Sequence, residues 1–152
     1  MVDVVSPADR SRMMAGIRGK NSRPELLVRR LLFASGYRFR LHRRDLPGTP
    51  DIVMPGRKVA IFVNGCFWHV HQGCRYAKMP ATRTDFWSAK LKANVERDRR
   101  AVEMLRKLGW RVLWVWECST LDAATAAGLR VAVSSWIDSG DPTGEIGASL
   151  RG

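Results

Sequence analysis

No run of apolar residues in this chain approaches the roughly 20 needed to cross a bilayer as a helix, so a helical membrane protein is excluded. The start lacks the basic-then-apolar layout of a secretory leader. Asp3 and then Ser6-Pro7-Ala8-Asp9-Arg10 stand there instead, and the expected place is the cytoplasm. Cysteine is scarce: three residues, an odd number. A disulfide framework is therefore not expected, which leaves metal ligation or ordinary buried thiols. Acids are in deficit, with 14 Asp and Glu against 26 Lys and Arg. No segment repeats internally. Aliphatic and aromatic residues are not lacking, so global disorder is excluded, and 152 residues suit a single domain.

What is present in excess is positive charge. The formal net charge is +12, and six tryptophans accompany it. A polyanion is the first partner to consider, nucleic acid above all, because base stacking needs aromatics as well as cations. The alternative is a basic surface that only aids solubility.

Taken in order, Ser6-Pro7 reads as an N-cap and first helical position, opening a short basic helix to about Ile17. This arm (1–20) lies either on a partner or frays. Ser22-x-x-Glu25 is a capping-box pattern with Pro24 in the first turn. The helix carries Leu26, Leu27, Val28, Leu31 and Leu32 and stops before Gly36. The capping box by itself accounts for Glu25. Arg38–His42 alternates as a strand does; Asp51–Met54 is a short strand; Lys58–Val63 is apolar on both faces and hence central. The three read as a meander. Residues 64–85 have no clear period. A long helix extends from about Asp85 to Leu108, its apolar stripe including Leu91, Val95, Val102, Leu105 and Leu108, with a buried Asp98 inside the stripe. An acid there is costly unless paired. Arg111–Trp116 is a further central strand, Ala123 to about Ile137 a final helix, and 140–152 a tail expected to be mobile. The fold class is α/β with a mixed sheet flanked by helices.

The ligand-type residues crowd into V-A-I-F-V-N-G-C-F-W-H-V-H-Q-G-C, from Val59 to Cys74. Cys66, His71 and Cys74, with Cys118, make a standard tetrahedral zinc set. They come together if the strand ending at Trp116 neighbours the strand ending at Val63. Three unrelated thiols are the competing reading. Asp51 comes after Pro50 at the head of a strand, as in restriction-type nucleases, but the next strand offers no acid or lysine. His69 is then the candidate base, with Asp98 to orient it, and a single Asp with a carbonyl and waters suits magnesium. His69 as a second zinc ligand, in competition with His71, remains open. Phe67, Trp68 and Trp87 are candidate wedges for a base stack, or core.

Longer stretches resemble one family. They are Arg10-Ser11 with Met14, Leu46-Pro47-Gly48-Thr49-Pro50-Asp51, Ile61-Phe62, and Gly65-Cys66-Phe67-Trp68-His69 with His71 and Cys74. Further on come Pro80-Ala81-Thr82-Arg83-Thr84 with Phe86-Trp87, the run Asn94–Arg100, and Leu108–Val112 through Trp116-Glu117-Cys118. In these the chain resembles the very-short-patch-repair DNA mismatch endonucleases, from Asp9 to Cys118. The resemblance implies a restriction-endonuclease-like core and a nick 5′ to the thymine of a T·G mismatch, such as arises when 5-methylcytosine deaminates. It implies magnesium at Asp51 and the carbonyl of Val63, His69 as base supported by Asp98, and Glu25 in the same site. It implies zinc at Cys66, His71, Cys74 and Cys118. Phe67, Trp68 and Trp87 would wedge from the major groove and Met14 from the minor groove, with Arg10, Arg83 and Asn94 among the DNA contacts. The best-known member carries Thr in place of Val63 and His in place of Asn64. The expected partner is mismatched double-stranded DNA, with other mismatch-repair proteins as further candidates, and the chain is expected to act as a monomer. The rival readings are a DNA-binding repair factor without efficient cleavage and a nuclease indifferent to mismatches.

Overall fold

The computed structural model describes residues 22–121 and 123–147. The arm, with Arg10 and Met14, lies outside them. The first described helix, α1 (Arg23–Ala34), starts where its sequence directs. Ser22 Oγ accepts from Glu25 N–H at 3.3 Å, Pro24 sits in the first turn, and Gly36 at φ +88° stands just past the end. Strand β1 (Arg40–Leu41) is shorter than the alternation of Arg38–His42 suggests, because it pairs only with Ile52 and Val53. β2 (Ile52–Met54) turns through Pro55–Arg57 into β3 (Val59–Asn64). The long helix α2 is Thr84–Lys107, β4 is Arg111–Trp116, α3 is the single turn Cys118–Leu121, and α4 is Ala123–Ser139.

One element departs from the sequence reading. Part of the segment expected as a mobile tail is instead a strand, β5 (Thr143–Ile146), parallel to β4 at the sheet edge. Its cause lies far back in the chain. The Arg111 guanidinium donates to the carbonyls of Trp136, Ile137 and Asp141 at 2.9, 3.0 and 2.8 Å and lies over the Trp136 ring. That fastens the end of α4 and the turn after it to the start of β4. No local pattern reports such a contact.

The sheet order is β1-β2-β3-β4-β5, an antiparallel meander continued by two parallel pairs. β3 is central as its composition predicts. Val59 and Ile61 pack with Val28, Leu32, Leu129 and Val133 of α1 and α4; Ala60 and Phe62 pack on the other face with Leu105 of α2 and with Trp110. Each fully buried aliphatic of this kind contributes about 1.5–3 kcal/mol. On α2 the buried line is Leu91, Asn94, Ala101 and Leu105, whereas Val95 and Leu108, expected in the stripe, are exposed. The apolar stripe is narrower than its periodicity suggests, because only one line of α2 meets the sheet. Gly48, at φ +75°, lets the Pro47-Gly48 turn lie against α2. A Cβ there would stand 2.7 Å from the Ala101 Cβ and 3.2 Å from the Phe62 ring. That contact seats the loop leading to Asp51. Among the described residues no helix is long and apolar enough to cross a membrane.

Candidate active site and metal centre

The topology brings the ligand-type residues to one end of the sheet. β2 runs antiparallel to β3, so the residue before β2 lies beside the end of β3. β4 runs parallel to β3 in the register Asn64↔Trp116, so the segments leaving the two strands emerge side by side.

Asp51 is half-buried and accepts the Val63 N–H at 2.8 Å. The N–H and C=O of one strand residue leave on the same side. The Val63 carbonyl therefore faces the Asp51 side as well. Burial pushes the Asp51 carboxyl up to about 7, against the Val63 hydrogen bond; the Glu25 carboxylate adds to the rise and Arg29 opposes it. Glu25 is fully buried on α1. Its carboxylate, for which the capping box offered a local partner, engages Arg29 and, at 2.6 Å, His42 Nε2. One ligand atom each of Glu25, His42 and Asp51 lies within 4.8 Å of the others. Adjacent and opposite oxygen ligands of a small divalent cation stand about 3–4 Å apart, so small side-chain adjustments would let the three share one.

His42 was given no role by sequence reasoning. The available signal is its register: it ends the alternating segment directly across from Asp51, where its N–H donates to the Asp51 carbonyl at 3.0 Å.

His69 lies in the turn after β3, its N–H bonded to the Gly65 carbonyl. Its Nδ1 is 2.6 Å from Asp98 Oδ2 on α2. Asp98 is half-buried rather than buried, so it is both paired and partly open to solvent. Asn94, one turn earlier, is buried and donates to the Trp68 carbonyl at 3.0 Å while accepting from Arg97. Expected among the DNA contacts, it here holds the aromatic loop onto α2.

Cys66, His71, Cys74 and Cys118 are all buried, with ligand atoms within 4.8 Å of one another. A tetrahedral ion with bonds of about 2.3 Å to sulfur separates its ligands by about 3.8 Å, inside that spread. His71 Nδ1 is 3.5 Å from Cys118 Sγ, and its ring stacks on Trp116 at 4.2 Å. Burial holds His71 below the ordinary imidazole value and pushes the Cys66 thiol up, against the hydrogen bond from the Cys118 backbone and with the neighbouring Cys118 and Cys74 thiols adding to the rise. A neutral imidazole is ready to ligate; the thiols must lose protons to do so. No disulfide joins them.

Phe67, Trp68 and Trp87 form one cluster, with ring centroids 5.1, 5.4 and 5.8 Å apart, and Phe86 packs on Trp87 at 5.2 Å. The first three are half-buried; Phe86 is exposed under the Arg83 guanidinium, 4.5 Å from its centroid.

Known proteins carry the same pattern. The family described as DNA mismatch endonuclease Vsr matches residues 2–75. The type II nicking enzyme V.XorIIP of Xanthomonas oryzae pv. oryzae is 53% identical over 131 residues, covering 86% of this chain and 96% of that protein. The DNA mismatch endonuclease Vsr of Escherichia coli (strain K12) is 43% identical over 139 residues, 90% and 88% of the two chains. The type II nicking enzyme V.NmeAIP of Neisseria meningitidis is 40% identical over 124 residues, 82% and 88%. With that identity over nearly the whole length of its relatives, and with the carboxylate, imidazole and thiol groups gathered at one sheet end, this chain belongs to the Vsr family of DNA mismatch endonucleases and is a DNA endonuclease.

Proposed function

We propose that this endonuclease nicks one strand of duplex DNA 5′ to the thymine of a T·G mismatch, by magnesium-dependent hydrolysis, and so begins very short patch repair. The mixed sheet, with its site at the ends of β2 and β3, suits a restriction-endonuclease-like core. The observation that carries the reading is a division of labour at that end. One carboxylate, Asp51, is anchored on the Val63 backbone. One imidazole, His69, is oriented by a second carboxylate, Asp98.

Asp98 holds His69 by Nδ1, which leaves Nε2 as the proton acceptor for an attacking water. Asp51, the Val63 carbonyl and Glu25 would hold magnesium, an ion that keeps several waters. When bound, it would neutralise the charge that develops on the scissile phosphate. Cys66, His71, Cys74 and Cys118 would hold zinc with every position filled, a staple rather than a reaction centre. Phe67, Trp68 and Trp87 would enter the base stack, helped on the other groove by Met14 of the arm. Unstacking costs a few kcal/mol per step and least at a mismatch. Arg10 and Arg83 would contact the backbone. That several relatives are named nicking enzymes supports a single-strand cut.

The test is cleavage of a T·G duplex and its matched counterpart with magnesium, by wild type and His69→Ala. Wild type should nick the mismatched duplex in one strand. The variant should lose about 10²–10⁴-fold in rate with zinc content unchanged. Binding without any nick by the wild type would replace this reading with that of a DNA-binding repair factor. Equal cleavage of both duplexes would remove the mismatch specificity.

A further inference from the structure

We infer that the divalent cation held by Asp51 takes His42 Nε2 as a nitrogen ligand, so that the carboxylate site is a mixed oxygen–nitrogen site formed by Glu25, His42 and Asp51. The inference rests on the magnesium site just proposed and adds to it a residue to which no role has been attached.

Three observations carry it. The ligand atoms of the three side chains lie within 4.8 Å of one another, close enough for small side-chain adjustments to bring all three onto one cation. Position 42 is fixed by the sheet: the His42 N–H donates to the Asp51 carbonyl at 3.0 Å, which continues the β1–β2 pairing by one residue and sets the two side chains at the same end. Its backbone, at φ +48°, lies in the left-handed region, which non-glycine residues rarely adopt and which recurs where a side chain must be aimed.

A salt bridge alone does not account for the arrangement. Glu25 already engages Arg29, one turn along α1, on the same Oε2 that His42 approaches. The imidazole nitrogen that approaches Glu25 also lies within reach of the Asp51 carboxylate, and a nitrogen set between two carboxylates is the arrangement a metal requires. Ligation uses the Nε2 lone pair, so the ring binds as its Nδ1–H tautomer, and the Glu25 contact is exchanged for the metal bond. Magnesium favours oxygen and water, whereas imidazole favours transition ions. The nitrogen therefore tilts this site toward Mn²⁺ relative to Mg²⁺.

The experiment uses the full, zinc-loaded chain and Mn²⁺ as the probe. Spin-echo magnetic resonance of bound Mn²⁺ should detect an imidazole nitrogen in the wild type and not in His42→Gln. Glutamine can still donate to Glu25, so it preserves any positioning role while removing the nitrogen ligand. His42→Gln should weaken Mn²⁺ by about tenfold or more and Mg²⁺ by far less. No nitrogen signal in the wild type, a signal retained in His42→Gln, or equal weakening of both ions would each overturn the assignment of His42. Asp51→Asn separates the two levels of the argument. It should abolish binding of both ions, and Mn²⁺ bound normally by that variant would bring down the carboxylate site itself.

Discussion

Asp51 concentrates the electrostatics of the site on one residue. Burial raises its carboxyl from the ordinary 3.8 to about 7. A raised carboxyl favours the protonated folded form. Its contribution to stability is fully present below the ordinary value and is lost as pH rises through about 7. Without magnesium, the wild type should therefore lose thermal stability between about pH 4 and 7 relative to Asp51→Asn, which cannot ionise, and level off above that. Magnesium should narrow that gap at the upper end by favouring the carboxylate. Melting curves of both proteins across that range check it; parallel curves would mean that Asp51 does not titrate there. The residue also marks where sequence reasoning stops. Pro50-Asp51 is legible as a motif, but its neighbours Glu25 and His42 are 26 and 9 positions away, and no local spacing announces that they meet it.

At the scale of elements, α2 and the loop after β3 depend on each other. α2 supplies Asp98 to His69, Asn94 to the Trp68 carbonyl and Trp87 to the aromatic cluster. The loop in turn lies against the turn after β4, where Cys118 Sγ approaches His71. Cys118→Ser should cut zinc content to near zero and open residues 65–77 to proteolysis, while much of the sheet core, remote from this end, stays folded. Zinc analysis with limited digestion tests this, and full zinc occupancy in the variant would remove Cys118 from the ligand set. Trp68→Ala should reduce the preference for mismatched over matched duplex by about tenfold, because base–aromatic stacking is worth about 1–3 kcal/mol. Unchanged discrimination, with a melting point near that of the wild type, would reduce Trp68 to packing. Both ends of α1 and the end of α2 were legible from a cap and two glycines, and the central strands from their two-sided apolar runs, whereas the single turn α3 had no local signal. The breadth of the α2 stripe was not, because Val95 and Leu108 have the right periodicity but nothing opposite them.

For the whole molecule the dominant quantity is the net charge of +12. Binding to duplex DNA should release condensed counterions and weaken steeply with salt. Contact with about six phosphates corresponds to a loss of about a thousandfold between roughly 50 and 200 mM. A titration of affinity against salt checks it, and a shallow dependence would mean that few of the basic side chains face the DNA. Mismatch preference should survive the same titration better than affinity does, since phosphate contacts position and stacking discriminates.

The sequence by itself determined the chemistry available to this protein: the excess of cations, the scarce thiols and histidines, the carboxylate after proline, and the period of each long element. Those are properties of residue type and near-neighbour spacing. Only the tertiary structure decided which groups face one another. The β3–β4 register brings Cys118 to His71, the antiparallel return of β2 brings Asp51 to Val63, and the end of β1 brings His42 to Glu25. Arg111 likewise turns the segment after α4 into a fifth strand. Each is a contact between positions far apart in the chain, fixed by packing and pairing that no local pattern encodes.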